Sequence, residues 1–230
     1  MGLVFKMFAG EAKDAYPSIP KMVGPDCTVR NTRVLMVDGK SVYPEYLTET
    51  RILVCPSSAH AEEDFRAGRW NRADGPGGSR SNGSVDPCLL DQLSYYYTGW
   101  VFKTEWLADP ATNDASLRFE SALKDVLENG DVTASWTFVD YDGESHEVPR
   151  LREGVERFMI TDINNPSRGA MSQSAIPIMY DKVSQKPDDF NHIPGGGNIL
   201  YMDGHVEFMK YPGMFPCSRA WAEMVWQLGL

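Results

Sequence analysis

The sequence predicts an α+β domain with helices at its two ends and antiparallel β-structure between them. Three observations carry this. Gly (20) and Pro (15) are dense beside 6 Trp, 10 Tyr and 10 Phe, which means many short segments joined by turns. Asp-Gly pairs at 38–39, 142–143 and 203–204 stand between apolar runs, and Asp-Gly supplies the positive φ angles of a two-residue hairpin turn. Helical periodicity is confined to the two termini and one stretch between the strands.

The chain has 230 residues, which fits a single large domain able to bury about 70% of its unfolded surface. Hydrophobic residues at 42% and charged residues at 23% exclude bulk disorder and a coiled-coil rod. The 22 Lys+Arg against 32 Asp+Glu give a formal charge of -10. Without a basic run to offset it, that balance speaks against a nucleic-acid partner. No stretch of 18 apolar residues is present to span a membrane, and the start lacks a signal-peptide pattern.

The elements follow in order. Residues 1–16 read as a helix whose core-facing stripe is Leu3, Val4, Met7, Phe8 and Ala12, stopped by Pro17 and Pro20. Val34 to Tyr43 reads as a hairpin turning at Asp38-Gly39. Arg51 to Cys55 and Ser94 to Trp100 read as strands. Residues 70–87, rich in Gly, Ser and Asn, read as an exposed loop within the single domain 1–230. Asn113 to Asn129 reads as a helix with Leu117, Leu123, Val126 and Leu127 as its apolar residues and Gly130 as its stop. Hairpins are expected at Asp142-Gly143 and Asp203-Gly204. Ser218 caps a last helix that turns Trp221, Met224, Val225 and Leu228 inward.

Four cysteines (Cys27, Cys55, Cys88, Cys217) contain no CxxC pair, so a structural zinc site of that kind and a thioredoxin-type centre are not expected. They allow three disulfide connectivities. Cys55 with Cys88 flanks the long loop and is one pairing; four buried free thiols is the alternative reading. Of the histidines, His192 and His205 keep suggestive company. His192 opens a glycine-rich loop, Asp203 sits in the following hairpin turn, and His205 comes two residues later. The three could be metal ligands or an acid–base set. The plainer reading is that His192 hydrogen-bonds the hairpin and Asp203-Gly204 only makes the turn. Gly195, Gly196 and Gly197 are no phosphate loop, because a strand follows and no Lys-Ser/Thr does.

The stretch from His192 through Gly195–Asn198 and Ile199–Met202 to Asp203-Gly204-His205-Val206 resembles the H-X9-DG domain of prepilin-like proteins. Here ten residues, not nine, separate His192 from Asp203. Leu3 to Pro17 resembles the segment where a pilin helix leaves the membrane. Val54-Cys-Pro-Ser and Ser94-Tyr-Tyr-Tyr are similar to that family's Cys-Pro-Ser and the strand after its variable loop. The resemblance implies a type IV pilin-like or type II secretion pseudopilin-like domain. Its N-terminal helix would be a truncated spine (1–16) packed on an antiparallel sheet, with a β-rich C-terminal half and a motif hairpin at 190–211. It also implies a non-catalytic structural subunit, periplasmic or extracellular. An N-terminal anchor absent here would hold it in the inner membrane before assembly. Its partners would be other pilin-like subunits and the secretion or pilus machinery. His192, Asn198, Asp203, Gly204 and His205 are then structural, with no cofactor required. Asp181, Asp188, Asp189 or Asp203 could offer oxygens to a Ca²⁺ ion, and hard cations need several oxygens in one loop. Two rivals remain. One is a secreted carbohydrate-binding module using Trp70, Tyr95–Tyr97 and Trp100 as a platform. The other is a metal-dependent hydrolase built on His192, Asp203 and His205.

Overall fold

The computed structural model describes residues 1–29, 33–73, 78–81, 83–107, 114–159, 171–186, 190–192 and 195–230. It is a mixed α/β structure. Strands β1 (Tyr95–Tyr97), β4 (Pro177–Asp181), β5 (Gly196–Tyr201) and β6 (Val206–Lys210) form an antiparallel sheet in the order β1-β4-β5-β6. Strands β2 (Trp136–Val139) and β3 (Ser145–Val148) form a separate hairpin.

Side-chain alternation gives the four-stranded sheet two apolar faces. On one, helix α1 (Gly2–Glu11) lies against Tyr97 and Leu200: Phe5 stacks on Tyr97 with ring centroids 5.1 Å apart, and a Cβ at Gly2 would stand 3.6 Å from Leu200 Cδ1. On the other, Tyr96 and Tyr180 meet Trp221 of helix α5 (Arg219–Gln227) at 5.9 and 6.0 Å. Ser218 caps α5 as expected, its Oγ accepting from Trp221 N, and Trp221, Met224, Val225 and Leu228 are buried. Helix α4 (Asp114–Asn129) covers the β2–β3 hairpin, where Phe119 packs with Trp106, Trp136 and Phe138. Both expected hairpins at 142–143 and 203–204 form, with Gly143 and Gly204 at φ +82° and +96°.

Several expectations are corrected. The buried stripe of α1 is Val4, Phe5 and Ala9, whereas Leu3 and Met7 face outward. In α4 the inward residues are Phe119, Leu123 and Leu127, and Leu117 is exposed; Asn113 lies outside the described residues. Asp38-Gly39 does not turn a hairpin. Asp38 Oδ1 accepts from Lys40 N at 3.2 Å and so starts a single helical turn, α2 (Gly39–Val42). Gly39 is needed there for closeness, since a Cβ would stand 2.1 Å from the Pro87 carbonyl oxygen. Arg51 to Cys55 is not a strand: Glu49 caps a 3₁₀ turn over Thr50–Leu53. The segment 70–87 is not simply exposed, because Trp70 and Asp86 are buried; residues 74–77 and 82 of it lie outside the described residues. Between these, α3 (Ala59–Arg66), capped by Ser58, was not anticipated.

The disulfide joins Cys27 to Cys88, not Cys55 to Cys88. A turn at Pro25–Cys27 lies against another at Pro87–Leu89, with Gly24 N donating to Cys88 O, and this brings the two cysteines to a Cα separation of 5.0 Å. Cys55 and Cys217 are free and buried. No described helix is long and apolar enough to cross a membrane.

Candidate functional site

The site grows from the end of β4. Four residues of Pro177–Asp181 are apolar or aromatic and all five are buried, so Asp181 enters the interior at the strand's last position. A buried carboxylate must be satisfied by donors or a cation. Asp181 Oδ1 accepts from Asn191 Nδ2 at 2.9 Å. Its Oδ2 accepts from Asn198 N at 2.6 Å and Asn198 Nδ2 at 3.0 Å, and meets His192 Nε2 at 3.0 Å. Asn191 also donates to the Ser94 carbonyl, and Ser94 Oγ accepts from Cys55 N at 2.9 Å. Cys55 Sγ completes the cluster, 3.6 Å from His192 Nε2. His192 is a quarter exposed and forms the rim, while Asp181 is fully enclosed.

The glycine-rich loop now has a physical reason. A Cβ at Gly197 would stand 2.9 Å from Asp181 Cβ, and one at Gly196, where φ is +142°, would stand 2.5 Å from the Met209 carbonyl oxygen. Gly197 lets β5 close onto the acidic end of β4, and Gly196 lets it close onto β6.

Burial pushes the Cys55 thiol up and the Asp181 charge adds to this, while the neighbouring Ser57 and Ser58 amides pull it down. Burial together with Asp181 pushes the second free thiol, Cys217, up to about 12, so it stays protonated.

Two residues expected in the motif, His192 and Asn198, do meet here. Asp203 and His205 do not join them: they pair with each other at the exposed tip of the β5–β6 turn, His205 Nδ1 to Asp203 Oδ1 at 2.6 Å. The proposed His192–Asp203–His205 set is therefore not assembled. Of the Ca²⁺ candidates, Asp188 and Asp189 lie outside the described residues, and Asp181 faces a sulfur and an imidazole, not a shell of oxygens. The sequence reading passed over Asp181 as the hub and Cys55 as its neighbour. The available signal was an acid ending an otherwise apolar strand, Ile178-Met-Tyr-Asp.

Among the described residues, one other group gathers possible metal ligands: Asp140, Glu144 and His146 around the β2–β3 turn. There Asp140 is occupied with His146 Nε2 (2.8 Å) and Glu144 N (2.9 Å). Comparison with protein-family models, curated proteins and solved structures finds no match.

Asp181→Asn keeps the shape but turns one accepting oxygen into a donor facing Asn198 and His192. A loss of about 1–3 kcal/mol is expected, since buried donors are left unpaired. A lowered urea midpoint at unchanged slope would show it; an unchanged midpoint would remove Asp181 as the hub.

Proposed function

We propose that this protein is a non-catalytic structural subunit of a type IV pilus-like filament or secretion pseudopilus, assembling through α1. The observation that carries the reading is the two-sidedness of α1. Val4, Phe5 and Ala9 bind it to the sheet, while Leu3 (73% exposed) and Met7 (48%) stand one turn apart on the outward side. Leu3 also borders a cleft of about 620 Å³ that includes Ile52, Leu200 and Val206. Ile52 and Val206 are themselves exposed, so apolar surface continues from the helix onto the sheet. Contiguous exposed apolar surface of this kind marks a protein contact. The resemblance of the His192–Val206 stretch to the prepilin H-X9-DG domain points the same way. In that reading the protein is periplasmic or extracellular, and its partners are like subunits and the secretion or pilus machinery.

The rivals draw no support. Trp70, Tyr96, Tyr97 and Trp100 are buried and offer no sugar platform. The hydrolase set is not assembled.

Leu3→Cys and Met7→Cys, expressed in the cells of origin and oxidised there, test the proposal. A ladder of cross-linked multiples is expected, with none from the parent protein, whose own free cysteines are buried. A single monomer band from both variants would overturn it.

A further inference from the structure

We propose that Cys55, Asp181 and His192 bind one zinc-class divalent cation. The inference is independent of the filament reading and rests on the cluster itself.

First, the donor atoms converge. Cys55 Sγ, His192 Nε2 and a carboxylate oxygen of Asp181 all lie within 4.8 Å of one another. Zn–S near 2.3 Å and Zn–N or Zn–O near 2.0–2.2 Å around a tetrahedron put S and N about 3.6 Å apart and N and O about 3.4 Å apart. The observed separations are 3.6 Å for Cys55 Sγ to His192 Nε2 and 3.0 Å for His192 Nε2 to Asp181 Oδ2.

Second, one oxygen gathers the centre. Asp181 Oδ2 accepts from Asn198 N and Asn198 Nδ2 and meets His192 Nε2 at 3.0 Å, so a cation taking the place of the hydrogen between them finds the carboxylate already held and the imidazole already aimed at it.

Third, the surroundings suit a bound cation. Asn191 Nδ2 and Asn198 N hold the Asp181 carboxylate in place, as outer partners of metal ligands do. A thiolate and a carboxylate neutralise a divalent ion, so the buried site carries no net charge. Sulfur and imidazole in the set favour zinc over Ca²⁺ or Mg²⁺. Binding sends the Cys55 thiol proton to solvent and ties together the segment after the Thr50–Leu53 turn, the end of β4 and the segment of His192.

The competing arrangement is a plain His192–Asp181 hydrogen bond beside a buried thiol. Chelator-treated protein titrated with Co²⁺ separates the two. One Co²⁺ per chain is expected, with sulfur-to-cobalt charge-transfer absorption that one equivalent of Zn²⁺ abolishes, and with a higher melting temperature for the zinc form. Cys55→Ser should lose the absorption. His192→Gln, altered only at the rim, should weaken Zn²⁺ binding by at least about tenfold. No saturable binding by the parent, absorption that survives Cys55→Ser, or unchanged affinity in His192→Gln would each overturn the proposal.

Discussion

Trp221→Ala is expected to destabilise the protein by about 3–5 kcal/mol, the cost of deleting a large core aromatic. Trp221 is fully buried, and its ring meets Tyr96, Tyr180, Phe102 and Phe215 at centroid distances of 5.9, 6.0, 6.0 and 5.3 Å. Through Tyr96 and Tyr180 it ties α5 to both β1 and β4. Four rigid rings cannot collapse into the space it leaves, so the cavity cost adds to the lost burial. The melting temperature should fall by roughly 10 °C or more for a chain of this size. Trp221→Phe should cost much less. It keeps a ring in place, and the indole N–H it removes has no acceptor among the described residues. A loss below about 1 kcal/mol in Trp221→Ala would mean that α5 does not anchor this face of the sheet.

Removing the disulfide should have an effect of similar size. Cys27 and Cys88 are 61 residues apart, and a closed loop of that length restricts the unfolded chain by about 4 kcal/mol in the loop-entropy model. The paired change Cys27→Ala with Cys88→Ala should therefore lower the melting temperature by roughly 10 °C. Reducing the parent protein should do the same. The neighbourhood adds to the effect, because buried Asp86 accepts from Cys88 N and Asp26 N, one from each side of the bridge. Peptide mapping without reduction should recover Cys27 linked to Cys88. Recovery of Cys55 linked to Cys88 would contradict the structure directly.

These two cases also show where the sequence was legible. Elements fixed by local chemistry could be read: α5 from its Ser218 cap and stripe, and the hairpins at 142–143 and 203–204 from Asp-Gly between apolar runs. At Asp38-Gly39 the same dipeptide misled, because Asp38 capped a helical turn and the Val34–Val37 run found its partner elsewhere, Leu35 O accepting from Tyr97 N. The outward placement of Leu3 and Met7 was not legible either. Several inward faces are compatible with α1, and contact with Tyr97 and Leu200 selects among them. The disulfide partner and the Cys55–Asp181–His192 cluster depend on contacts between residues more than 100 positions apart or on opposed turns, and local patterns carry no record of those. His192 and Asn198, two residues of the motif, stand 3.0 Å apart. Asp203 is near them in the chain but not in space, because β5 carries it to the opposite end of the hairpin.

In the filament proposal, α1 joins this domain to like subunits as the lower part of a filament spine. Mass spectrometry of the native protein, purified from its own cells, tests this by reading the residues on the N-terminal side of α1. An apolar run of about 20 residues continuous with α1 is expected, long enough to cross a membrane before assembly. A native chain that starts at Met1, or one preceded by a polar segment, would contradict it.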